Sequence, residues 1–237
     1  MDKMKIGFST GCLFKTHNIK DALKAFRKLN IRVVELGFLK LGDDQQKWFN
    51  EISKEDLKDF DYVSLHAPNY NYGYNDGSLT IFKKIEEINN FRPLDLVVFH
   101  PDCVIDFDVF KEAHFKVAFE NMDNRKSSYK FSEEFKPIFD KNQNFNLVLD
   151  VNHIYSNDKT MNIINDFYKI EENKIAQIHL SGYSGTHIPL YESKQLEIVE
   201  SIKNFNTPII IESVIAEEKL NEELSYIKNA ILKIQNK

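Results

Sequence analysis

The chain has 237 residues, 42% of them hydrophobic and 28% charged, and a net charge of −5. That balance excludes a disordered chain, and with only 8 Gly and 6 Pro it excludes collagen-like and low-complexity architectures as well. The acidic excess argues against a protein devoted to gripping nucleic-acid backbone, while leaving room for a small basic patch.

No secretory-type apolar region precedes the first strand-like run, and no stretch approaches the roughly 18 apolar residues of a membrane span. Two cysteines, Cys12 and Cys103, are too few and too far apart for a disulfide framework or a CxxC site, which points to a soluble protein of the reducing cytoplasm. Eight short apolar runs then follow in order: KIGFST (5–10), IRVVELG (31–37), DYVSLHAP (61–68), DLVVFHPD (95–102), KVAFENMD (116–123), NLVLDVNH (146–153), IAQIHLSG (175–182) and PIIIESV (208–214). Each is rich in Val, Ile, Leu and Phe, as expected of strands buried on both faces. Helical spacing fills the gaps. Ile19, Ala22, Leu23, Phe26 and Leu29 follow an Asn18 cap; Leu79, Phe82, Ile85 and Ile88 follow Ser78; and Leu220, Leu224, Ile227, Ala230, Ile231 and Ile234 share one face of a last helix over about 217–235. The gap between the fourth and fifth runs is short, which predicts a stunted helix or a loop there.

Strand and helix alternate eight times with no composition break, so residues 1–237 are expected to form one α/β domain, a (β/α)8 TIM barrel near the usual ~250 residues. An open doubly wound sheet is the competing reading. The strand ends decide between them. Glu35, His66, His100, Glu120, Asp150, His179 and Glu212 stand at or near the C-terminal ends of seven runs. Burying such groups is costly unless they are paired or coordinated, and only a closed barrel gathers them in one basin, at the face where barrel active sites lie. His153 and His187 lie just beyond strand ends too, whereas His17 and His114 do not. One strand-end His is usually an ordinary hydrogen-bonded residue; five together point to a metal site.

The motifs in sequence order are SLHAPNY, VVFHPD, AFENM, LVLDVNHIY, QIHLSG and HIPL. They resemble the third-strand HAP, fourth-strand HPG, fifth-strand ENM, sixth-strand LDxxH, seventh-strand HLSD and following HLPLGEG of the xylose-isomerase-like barrels, a family of sugar and sugar-phosphate isomerases and epimerases that also contains endonuclease IV. The resemblance spans nearly the whole chain. It implies that Glu120, Asp150, His179 and Glu212 ligate one divalent ion, for which three carboxylates and an imidazole suit Mn, Co, Mg or Zn.

Two reactions follow from the resemblance. In the isomerase or epimerase branch, favoured at this level, Glu120 and Glu212 exchange a proton beside the carbonyl of a small sugar or sugar-phosphate substrate. In the endonuclease IV branch, a zinc-dependent phosphodiesterase acting on abasic DNA, His66, His100 and Glu120 match a further zinc, and His153 and His187 a third. Retention of His66 and His100 favours the second branch. Gly185, where the family has Asp, and Tyr191–Glu192–Ser193 in place of GEG depart from the pattern, and the short acidic chain leaves little room for DNA-gripping loops. Glu35 resembles a second-strand Glu that bonds substrate or a ligand His. Tyr70, Tyr72 and Tyr74 are candidates for a lid or sugar-stacking wall, Arg125, Lys126 and Lys130 for a phosphate contact, and Cys103 is expected to be an inert loop thiol.

Overall fold

A computed structural model describes residues 4–38, 49 and 52–236. Within it the eight runs form strands: β1 (Ile6–Ser9), β2 (Val33–Gly37), β3 (Tyr62–His66), β4 (Leu96–Phe99), β5 (Val117–Glu120), β6 (Asn146–Asp150), β7 (Ile175–Leu180) and, after a hairpin of β8 (Gly182–Tyr183) and β9 (His187–Ile188), β10 (Ile209–Ile211). All eight barrel strands pair in parallel and the sheet closes on itself, β1 against β10 with Ile6 opposite Ile209. The open-sheet alternative is thereby excluded.

The period of two along each strand sorts its side chains into two sets. Phe8, Val34, Leu36, Val63, Leu65, Val97, Phe99, Phe119, Leu147, Leu149, Ile178 and Ile211 belong to the large apolar core shared with the helices. The intervening residues face the lumen, where two small separate clusters, Leu96/Val98/Ala118/Val148 and Val33/Tyr62/Ile210, fill the lower part. Gly7 belongs to that tight layer: a Cβ there would come within 1.8 Å of the Val33 carbonyl oxygen, so no larger residue fits. One step further along each strand the lumen turns polar.

The helices cover the outside. Ile19–Lys28 is capped as expected, Asn18 Oδ1 accepting from Asp21 N at 2.9 Å. The helix after β3 starts earlier than the spacing predicts. It spans Asp76–Phe91 and its cap is Asn75, which accepts from the backbone N–H of Ser78; Ser78 itself is buried in the first turn and Leu79 is exposed, so the packed face is Ile81, Phe82, Ile85 and Ile88. An Asn with two small residues behind it competes well for the cap, and sequence spacing alone does not rank it against Ser. Between β4 and β5 there are only 3-10 turns, Pro101–Cys103 and Phe107–Glu112. The last helix, Leu220–Gln235, buries Leu220, Leu224, Ile227, Ala230 and Ile231 as expected.

Tyr72 corrects the lid expectation. It is buried, donates its hydroxyl to Pro68 O at 2.6 Å and packs on Phe82 and Phe99 in an aromatic cluster that continues through Phe110, Phe119 and Phe145. Tyr70 packs against Tyr72, and Tyr74, though exposed, is tied to Asp108 O. The loop uses its aromatic rings for packing. Among the described residues no helix is long and apolar enough to cross a membrane.

Candidate metal centre

Strands β3, β5, β6 and β7 each hand their last inward side chain to the same basin. From β5 comes Glu120, buried and central. Its Oε1 lies 2.8 Å from His179 Nδ1, and its Oε2 lies 3.1 Å from both His66 Nε2 and His100 Nε2. The next residue, Asn121, fixes the adjoining strand end: Oδ1 accepts from Asp150 N and Nδ2 donates to Asp150 O. Asp150 in turn caps its helix, Oδ1 accepting from His153 N at 2.9 Å, which leaves Oδ2 toward the basin. That helical turn brings His153 back over Asp150, Nε2 to Oδ2 at 3.4 Å.

The histidine rings are oriented from behind. His66 Nδ1 is 3.1 Å from Ala67 O and His153 Nδ1 is 2.7 Å from Asn121 O, so in each the Nε2 is the atom offered to the basin. His179 is reversed. Its Nε2 meets Glu35 Oε2 at 3.1 Å, leaving Nδ1 for Glu120 and, at 3.5 Å, Glu212. Glu35 is therefore brought beneath His179 rather than to the cavity wall, where it also accepts from Ser64 Oγ and from Gln177 Nε2. Such a carboxylate behind an imidazole fixes its tautomer and raises its basicity as a ligand.

Four groups of donor atoms result, the atoms of each within 4.8 Å of one another: Glu120/Asp150/His179/Glu212, His66/His100/Glu120, Asp150/His153/His187 and, at the edge of the basin, His100/Asp102/Cys103. Glu120 belongs to the first two and Asp150 to the first and third. The third is informative about Gly185, which sits at the tip of the β8–β9 hairpin with φ +76°, where a left-handed backbone favours glycine. Asp150 is the carboxylate beside His153 and His187 in this chain. Tyr191–Glu192–Ser193 forms part of a helical turn, Leu190–Ser193, held at its start by buried Glu223, which accepts from Leu190 N and Tyr191 N at 2.9 Å each and from Ser213 Oγ at 2.7 Å.

These residues fit a cation. Four buried or nearly buried carboxylates crowd the basin, and Asp150 Oδ2 makes no hydrogen bond among the described residues although it is buried. The titration behaviour reflects that crowding. Burial, together with the Glu120 and Glu212 charges, pushes Asp150 up to about 8 against the pull of His153. Burial raises Glu212 to about 7, with Glu120 and Glu35 adding to it and His179 opposing. Burial would depress His66, but its hydrogen bond to Glu120 and the surrounding carboxylates carry it to about 9. Burial would likewise raise Glu120, yet His179, His100 and His66 hold it well below the usual carboxylate range. His187 falls to about 3 through burial and the neighbouring His153. Removing either sign alone would strand the other.

Several contributors were not singled out from the sequence. Gln177 and Ser64 support Glu35; Asp123 lies 3.9 Å from His153 Nε2; Glu223 anchors the loop bearing His187. The signal for Gln177 was its place two residues before His179 on the same face, and for Glu223 its place within the apolar stripe of the last helix. Lys130 is turned toward the Phe131 ring, 5.9 Å away, and does not border the basin. Cys103 is half-buried, and burial and the Asp102 charge raise its thiol above the usual range.

No family model matches the chain and no curated protein matches it. Solved structures do. A D-tagatose 3-epimerase-like protein superposes with a TM-score of 0.72 at 16% identity, covering 98% of this chain and 99% of its own. The IolI protein with a bound zinc atom gives 0.64 at 18% identity, covering 98% of each chain, and AP endonuclease, family 2, from Brucella melitensis gives 0.63 at 11%, covering 94% of this chain and 99% of its own. The architecture is thus a closed (β/α)8 barrel, the fold these structures share with this chain. At these identities the likeness is one of fold, and the reaction has to be argued from the residues.

Proposed function

We propose that this chain is a divalent-metal-dependent phosphoester hydrolase, whose donor groups would hold more than one ion and have Glu120 in common. The observation that carries this reading is the division of Glu120: one oxygen faces His179 and the other faces both His66 and His100. The imidazoles of His66 and His100, converging on the far oxygen, go beyond the four donors that one ion at Glu120, Asp150, His179 and Glu212 would take. Nitrogen-rich donor sets of this kind suit Zn or Co better than Mg. Ions bound there supply charge to phosphoryl oxygens and acidify a water. The chain's own residues do the rest. Ala67 O and Asn121 O hold the rings of His66 and His153, Glu35 holds His179, and the adjoining cavity, about 250 Å³, takes a small molecule more readily than a duplex. In hydrolysis a water oxygen forms the new bond to phosphorus, the ester P–O bond breaks, and the departing oxygen leaves with a proton.

One observation favours the isomerase reading as a second. Glu212, raised to about 7, shares His179 Nδ1 with Glu120 and borders the cavity, so it has the range of an acid–base group acting beside a sugar carbonyl. Metal analysis and turnover separate the two. The expected result is two or three ions per chain and hydrolysis of bis(p-nitrophenyl) phosphate that falls at least about 100-fold, with loss of metal, in His66→Ala and His100→Ala. One ion per chain, retained in both variants, together with solvent deuterium entering a ketose beside its carbonyl, would replace this reading with the isomerase.

A further inference from the structure

The basin has a second kind of wall that the metal donors do not use. Arg125 and Lys126, in the loop after β5, border the same cavity as Glu120, Glu212, His100 and His187. Each cation is steered by a carboxylate lying deeper than itself. Arg125 donates through Nε, at 3.0 Å, and through Nη2 to Asp123, which also accepts Arg125 N at 2.8 Å. Lys126 donates to Asp102 Oδ2 at 2.6 Å. The two cationic side chains are 64% and 36% exposed, their carboxylates only 6% and 16%. A guanidinium has five N–H donors and an ammonium three, so these contacts fix the heads without exhausting them. Two pre-positioned cations facing a cavity that also adjoins cation-binding donors form a receptor for negative charge.

We propose that Arg125 and Lys126 bind a second anionic group of the substrate, so that the substrate is a small phosphoester carrying an additional phosphate or carboxylate rather than a neutral ester. The inference rests on the phosphoester reading for the nature of the group held at the metal donors. The guanidinium favours a planar or tetrahedral oxyanion engaged by two parallel N–H groups, and the ammonium beside it adds a point charge.

Calorimetric titration of the metal-loaded protein tests this without requiring turnover. The probes are inorganic phosphate, with one anionic group, and pyrophosphate and phosphonoacetate, which add a phosphate or a carboxylate. At least one of the two longer probes should bind about tenfold or more tightly than phosphate, and which one does so identifies the second group. Arg125→Met and Lys126→Met should each remove most of that advantage, Lys126→Arg should restore it, and raising the salt should shrink it. Metal content, measured on each variant, should not change. Equal binding of all three probes, or an advantage untouched in both Met variants at full metal content, overturns the proposal. A one-ion protein that hydrolyses no phosphoester yet keeps the Arg125- and Lys126-dependent advantage would overturn the phosphoester reading and leave the anion subsite standing.

Discussion

The two faces of the same eight strands make different use of one backbone. Outward, Val97, Phe99, Phe119 and Leu149 join a continuous apolar core whose contribution to stability scales with area. Inward and only one residue away, His66, Glu120, Asp150 and His179 are buried as ionisable groups that satisfy one another incompletely. The pleat is what lets a fold keep a cost on one side and offset it from the other. The outward set holds the barrel whatever is bound; the inward set depends on its own charge balance.

Breaking the outward set should have the largest effect. Phe119→Ala removes a ring packed on Phe107, Phe110 and Phe145, and should lower unfolding free energy by about 3–5 kcal/mol. Metal bound per folded chain, measured below the new melting temperature, should stay as it was.

The inward set should reveal itself next through pH. In metal-free protein the folded state holds the His66 proton up to about pH 9, whereas an unperturbed histidine gives it up near 6.5. Between those values the folded state binds more protons than the unfolded chain, so stability falls as pH rises. His66 alone accounts for about 2 kcal/mol between pH 7 and 9. Asp150, raised to about 8, acts in the same direction over the lower half of that window. Denaturant titrations across the range, with and without metal, would measure it; a flat metal-free profile would remove the charge-balance picture.

The smallest effect sharpens the comparison within a single layer. Glu35→Gln keeps the shape but weakens the hold on His179 Nε2, and should reduce metal affinity by about 10–100-fold with little change in the barrel's melting temperature. Competition against a chelator reads it directly.

Which parts were legible beforehand follows the same division. Strand positions follow from local apolar runs, and closure follows from the chemistry at their ends, because seven ionisable groups at strand ends make sense only if they converge. What local pattern cannot show is a contact made across the barrel. Gln177 bonding Glu35, Tyr62 bonding Gln177, and Glu223 reaching from the last helix to Leu190 join residues far apart in sequence. Tyr72 departs from its sequence pattern for a related reason: an aromatic residue in a polar, glycine-containing loop looks exposed until the 3-10 segment Phe107–Glu112 packs over it. Asn75 and Ser78 were both eligible caps, and the choice depended on which face of the helix met the sheet.

The pairing of β1 with β10 has a consequence for how the protein is made. Glu212 stands immediately after β10 and is the last of the donors to be synthesised, while the strand beside it was the first. Until those two strands meet, the basin lacks a wall and the four-donor set lacks a member. During synthesis the residues of the His66/His100/Glu120 and Asp150/His153/His187 groups all precede Glu212, so only the four-donor group waits for β10. The four-donor group is therefore completed at the end of the line, in the same event that closes the circle of strands.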